Sequence, residues 1–163
     1  MRKIKIESLT KEAFAPFGEF YDMANPDGYA LCGEIHKFYP DRMTTSCNTR
    51  LAFSPLVVKK PDSTVITQQE YHTTAEELIL PIDDDMIIHV APASGGAVVT
   101  DYARAFLVPK NTLVKLKAAI WHLAPLPANK EQLTVLIVLP ECTYANDCTV
   151  VDLSASEQFE IIK

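Results

Sequence analysis

The chain has 163 residues, 48% of them hydrophobic and 22% charged, which is enough for one domain with a full core, too little for two ordinary ones, and far from a disordered profile. Its formal charge of −6 argues against nucleic acid as a partner, because phosphate backbones are held by clustered Lys and Arg. No apolar run approaches the roughly 18 residues of a membrane span, and Cys32, Cys47, Cys142 and Cys148 lack CxxC spacing in a chain whose start, Met1-Arg2-Lys3, leads into no long apolar stretch, so the expectation is one soluble, reduced, cytoplasmic unit over residues 1–163.

In chain order, the first expected element is a short N-terminal helix: within "SLTKEAFAPFGEF", Thr10 is placed to cap it and Gly18 lies beyond its end. Strand signals then dominate. "LAFSPLVVKK", "STVITQ", "EELILPI", "DMIIHVAPA", "ARAFLVP", "TLVKLK", "QLTVLIVLP", "CTVVDL" and "FEIIK" are short and rich in Val, Ile, Leu, Thr and Phe. Turn formers such as "PDS", "DDD", "SGG", "PKN" and "PAN" separate them. The close spacing leaves no room for crossover helices, so the fold class is all-β, a sandwich or barrel.

The stretch "EYHTTAEELIL", residues 70 to 80, carries an unusual density of proton- and metal-binding groups. Side chains alternate faces along a strand, so Glu70 and His72 project to one side and can converge. Glu76 and Glu77 face opposite ways, and parity alone does not say which joins them. His122, in "KAAIWHLAPLP", adds a second imidazole on a segment that can lie beside the first in a closed barrel. Two imidazoles and two carboxylates form a donor set suited to Zn, Mn, Fe or Ni, with positions left for water or substrate. Elsewhere the expectations are structural: "DDD" at 83 to 85 as an exposed turn, His89 inside an apolar strand, and His36 beside aromatics. Lys115 and Lys117 share a strand face, either solvated or forming an anion-binding wall.

The spacing resembles that of cupins, small double-stranded β-helix barrels. Glu70, Tyr71, His72, four residues, Glu77, six residues and Asp84 reproduce the first cupin metal motif, with Glu in the first His place and Asp in the Gly place. That frame selects Glu77 over Glu76. "KAAIWH" resembles the second motif without its Pro and Gly, and His122 fills the remaining ligand position. Over nearly the whole chain, "LTKEAFAPFGEF", "EYH", "ILPI", "RAFL", "IWH" and "NDC" occur in the order of similar segments in ureidoglycolate lyases of allantoin breakdown. The chain departs from that family at Glu77, where Gln is typical, at Trp121-His122-Leu123, where "WHH" is typical, and at Lys117, where the family has His.

The resemblance implies a cupin-type, jelly-roll-like barrel and cleavage of ureidoglycolate to glyoxylate and urea. Such a reaction removes a hydroxyl proton, breaks a C–N bond and protonates the departing nitrogen, so it needs acid-base groups and a hold on a carboxylate. The expected metal ligands are Glu70, His72, Glu77 and His122, and the expected catalytic groups are Glu70, His72, His122 and Lys117, with Glu70 the preferred base. Arg104 and Lys117 are candidates for holding the substrate carboxylate, Arg104 having an ordinary ion pair as its alternative. Trp121 either walls the pocket or packs in the core. Two other readings are a metal-dependent cupin enzyme for another small hydroxy or keto acid, and a binding cupin without catalysis. A homodimer covering exposed sheet edges is the expected assembly.

Overall fold

The computed structural model describes residues 1–163. In chain order the elements are β1 (Arg2–Ser8), α1 (Lys11–Phe14), β2 (Gly18–Asp22), β3 (Leu31–Cys32), β4 (Lys37–Phe38), β5 (Leu51–Lys59), β6 (Val65–Ile66), β7 (Gln68–Tyr71), β8 (Glu77–Pro81), β9 (Met86–Ala91), a 3-10 turn (Thr100–Tyr102), β10 (Arg104–Val108), β11 (Thr112–Leu116), β12 (Trp121–His122), β13 (Leu126–Pro127), β14 (Gln132–Pro140), α2 (Thr143–Asn146), β15 (Thr149–Asp152) and β16 (Phe159–Ile162). The expected helix is present as a single turn, and the Thr10 side chain accepts from the Ala13 amide as its cap. It is preceded by a strand. The alternation "RKIKIES" places Ile4 and Ile6 on one face of β1, which runs parallel to both β10 and β16.

Two large sheets form the body. One has the antiparallel order β2-β11-β8-β14-β5; the other runs β15-β7-β12-β9-β10-β1-β16-β6, with β13 also on β9. The first core lies between them. Ile79, Val114, Leu116, Leu133, Val135 and Ile137 from the five-stranded sheet meet Met86, Ile88, Val90, Phe106 and Val108 from the other. Period-two alternation decides this, since the opposite face of β9 sends Ile87 and Ala91 into a second core with Trp121, Phe159 and Ile161. The larger sheet curls on itself. Ile66 in β6 and Leu153 just after β15, near its two ends, share that second core, and the Leu153 amide donates to the Thr67 carbonyl at 2.8 Å.

The three consecutive aspartates tie loops together and are not a merely solvated turn. Asp83 accepts from the Thr134 amide and Asp85 from the Lys110 amide, both at 2.8 Å. Asp84 is buried and accepts from the amides of Asn129 and Lys130 at 2.9 and 2.8 Å. Burial pushes its pKa up, but these donors outweigh it and hold the carboxyl down at about 2. No helix is long and apolar enough to cross a membrane.

Candidate functional site

Strand parity builds the site. In β12, adjacent residues face opposite ways, so His122 points between the sheets while Trp121 enters the second core. The same alternation in β7 separates Glu70 from Tyr71, whose ring packs on Trp121 with centroids 4.4 Å apart. β12 lies beside β7 with His122 paired to Glu70, so the two segments that carry the candidate ligands are neighbours. Glu77, at the start of β8, reaches in from the opposite sheet. Glu76 faces away, towards Lys115 at 3.6 Å and the Thr45 hydroxyl at 3.0 Å.

Glu70, His72 and His122 can each present a ligand atom within 4.8 Å of the others. Glu77 joins them: its Oε2 lies 2.7 Å from Nε2 of His122 and 3.3 Å from Nε2 of His72. The other ring nitrogens are already committed. Nδ1 of His72 donates to the Asp147 carbonyl and Nδ1 of His122 to the Ile120 carbonyl, each at 2.8 Å. Since a carbonyl only accepts, both Nδ1 atoms carry protons, and both Nε2 atoms are left to face Glu77. Two lone pairs and a carboxylate oxygen repel one another unless a proton or a metal cation lies among them. Nε2 of His72 is buried and makes no hydrogen bond, and the donor set of two imidazoles and two carboxylates therefore fits a divalent cation.

The electrostatics point the same way. Burial raises the carboxyl pKa of Glu77, but the His122 charge and hydrogen bond, together with the nearby His72 ring, outweigh it and bring it to about 2. Burial disfavours the His122 imidazolium, yet the charge and hydrogen bond of Glu77 prevail, and its pKa is raised. The His72 pKa is raised through the same contest of burial against Glu77, with the Asp147 carbonyl assisting. Glu77 is thus a fixed negative charge that favours a proton or a metal cation between it and the two imidazoles.

Two further residues support the cluster, and both come from the distant segment after β14. The Asp147 carboxylate accepts from the amides of Thr73 and Thr74 at 2.7 and 2.9 Å and from the Thr74 hydroxyl at 2.7 Å, clamping the loop that carries His72. Cys148 donates its thiol proton to Oε2 of Glu70 at 3.4 Å. Burial first, then the Glu70 charge, pushes this thiol up to about 11, so it stays protonated. Local sequence offered only the short "NDC" match as a signal for either.

The remaining candidates lie elsewhere. Arg104 gives Nε to Glu7 Oε1 at 2.8 Å and pairs Nη2 with Glu7 Oε2; its Nη1 donates to the Ala13 carbonyl and its guanidinium stacks on Phe106. Lys117 is exposed and donates to the Ala15 carbonyl at 2.6 Å. Lys115 is held by Glu19 at 2.7 Å and by the Thr44 carbonyl. Trp121 is fully buried and donates to the Ser94 hydroxyl. Beside the cluster lies a cavity of about 600 Å³ whose walls include Glu70, Glu77 and His122 but no Lys or Arg.

Residues 1–160 match the family described as ureidoglycolate lyase. A ureidoglycolate lyase from Pseudomonas aeruginosa is 28% identical over 126 residues, covering 75% of this chain and 75% of that protein. One from Rhodobacter capsulatus is 31% identical over 136 residues, covering 78% and 82%. A solved dTDP sugar isomerase from Desulfovibrio desulfuricans is similar in fold alone, with a TM-score of 0.51 at 10% identity over 86% of this chain and 85% of that one. The architecture is the cupin-type double-stranded β-helix.

Proposed function

Because this chain belongs to the ureidoglycolate lyase family, we propose that it cleaves ureidoglycolate to glyoxylate and urea, as a carbon-nitrogen lyase, at the cluster of Glu70, His72, Glu77 and His122. The observation that carries the assignment is the meeting of these four side chains, with Glu70, Glu77 and His122 at the wall of one cavity.

His72, His122 and Glu77 would hold a divalent metal, which supplies Lewis-acid acidification of a substrate hydroxyl when bound. Glu70 moves the proton. Its Oε2 is engaged by Cys148, while Oε1 lies 3.9 Å from Nε2 of His122, towards the cavity. Oε1 takes the hydroxyl proton as the C–N bond opens and returns it to the departing nitrogen. Hydroxyl and nitrogen sit on the same carbon, so one carboxylate serves both atoms without a second acid. No Lys or Arg lines the wall, so the positive charge that the substrate carboxylate needs would be that of the metal held by His72, His122 and Glu77.

Parallel quantification of glyoxylate and urea tests the reaction. Equal amounts are expected. Ammonia and carbon dioxide in place of urea would indicate hydrolysis of the ureido group instead.

Two features of the setting belong to the same proposal. The free edge of β5 exposes Phe53 and Val57, and a homodimer that pairs this edge would cover them. All four cysteines are free, which suits a reducing cytoplasm.

A further inference from the structure

Strand register places an apolar shelf beside the catalytic cluster. On β8, Glu77 and Ile79 share the inward face; Ile79 pairs with Ile137 of β14, which pairs with Ser54 of β5. One step along β14 on the same face, Leu139 pairs with Ala52. The cavity therefore leaves Glu77 and runs towards the β5 edge over Ile79, Ile137, Leu139, Ala52 and Leu56. Leu123 and Pro125 add to the apolar lining.

Urea is small and polar, and this lining answers neither property. A cavity of about 600 Å³ is of the size that accommodates drug-sized molecules. Of the hydroxyl residues in its wall, Thr143 donates to the Pro140 carbonyl, Ser54 is exposed, and Tyr144 sets its ring against His72, 5.9 Å between centroids, at the cluster end. A ureido group extended along the shelf would leave N–H and carbonyl groups against Ile and Leu without partners, which is unfavourable, whereas an alkyl chain there gains from leaving water.

We propose that the site takes N-acyl-2-hydroxyglycines with an apolar acyl chain, the chain lying on the shelf of Ile79, Ile137, Leu139 and Ala52. The proposal rests on the lyase reading above and on the same chemistry. Glu70 accepts the hydroxyl proton, the hydroxyl carbon becomes the aldehyde of glyoxylate as its C–N bond breaks, and the nitrogen receives that proton and departs as a primary amide. Atoms and charge balance without any further reactant.

The test is glyoxylate release by the full chain from ureidoglycolate and from the N-acetyl, N-butanoyl and N-hexanoyl derivatives of 2-hydroxyglycine. The expected result is a kcat/KM that rises about fourfold for each methylene group buried, with the hexanoyl compound at least about tenfold above ureidoglycolate. In Ala52→Phe, whose ring would fill the shelf, the ratio of hexanoyl to acetyl kcat/KM falls to about one. Cleavage of ureidoglycolate with a flat or falling acyl series, or with no acyl cleavage, overturns the proposal and leaves the lyase reading standing. Glyoxylate from none of the compounds overturns both. Should Ala52→Phe not fold, the wild-type series decides alone.

Discussion

Glu77 and His122, separated by 45 positions in the chain and carried by facing sheets, meet at 2.7 Å between Oε2 and Nε2. The contact joins a carboxylate held ionised to an imidazole whose other nitrogen is fixed as a donor, and His72 approaches the same oxygen. Glu77→Leu removes the fixed charge and both carboxylate oxygens while keeping similar bulk, whereas Gln, the residue typical of the family here, would keep one oxygen donor. Glyoxylate release should fall by roughly 100-fold or more, and bound divalent metal, measured by elemental analysis, should fall with it. Wild-type metal content and activity in this variant would contradict the ligand assignment.

Asp147 is a positioning residue. Its carbonyl fixes the His72 tautomer, and its carboxylate binds the two amides that follow His72. Asp147→Ala retains the carbonyl and loses the clamp, so activity and metal affinity should drop by about 10-fold to 100-fold. Asp147→Asn can still accept through one oxygen and should lie between. The comparison requires kcat/KM and a metal titration on both variants; equal loss in the two would remove the graded role of the carboxylate.

His89 supplies a signed pH dependence. It is fully buried, its ring accepts from the Gln69 amide at 2.8 Å, and burial, helped by the His122 charge, lowers its pKa to about 3. The folded value lies below the unfolded value of about 6.5, so between these limits the unfolded chain binds the extra proton. The stabilisation is fully present above about pH 6.5 and is lost as pH falls towards 3. His72 and His122 have raised values, so their imidazolium contribution runs the other way, present below pH 6.5 and lost as pH rises through the folded values. Thermal unfolding from pH 6 to pH 4 should therefore show a smaller decline in Tm for His89→Leu than for the wild type, and parallel curves would contradict the assignment.

Arg104 is a structural cation. Arg104→Met should keep kcat/KM for ureidoglycolate within about twofold while lowering stability by about 1–3 kcal/mol, because the Glu7 pair and the bond to the Ala13 carbonyl are lost. Denaturant unfolding and the glyoxylate assay measure the two effects separately. A large loss of activity at unchanged stability would return Arg104 to the site.

These cases show what local sequence carries. β14 spans all of "QLTVLIVLP", because the seven apolar or β-branched residues from Leu133 to Leu139, set between turn residues, admit little else. Glu70 and His72 share a face by parity, and cupin spacing picks Glu77 over its neighbour. Arg104 was ambiguous for a topological reason: its partner lies on β1, and the meeting of Glu7 with β10 follows only once β1 is placed parallel to that strand. The alternation of Lys3-Ile4-Lys5-Ile6 is a strand signal for β1, but it does not report which strands β1 joins. Asp147 and Cys148 reach the site through a crossing of the chain, with β15 pairing on β7, and no local periodicity reports such a contact.

The most direct test of the account compares glyoxylate and urea release by the wild type and by Glu70→Gln, with metal content measured on both. Glu70 is assigned to moving the proton while His72, His122 and Glu77 suffice as ligands, so kcat should fall by about 10²-fold to 10⁴-fold while bound metal is unchanged. Activity within a few-fold of wild type would contradict the assignment of Glu70, and loss of the metal together with activity would show Glu70 to be a ligand instead.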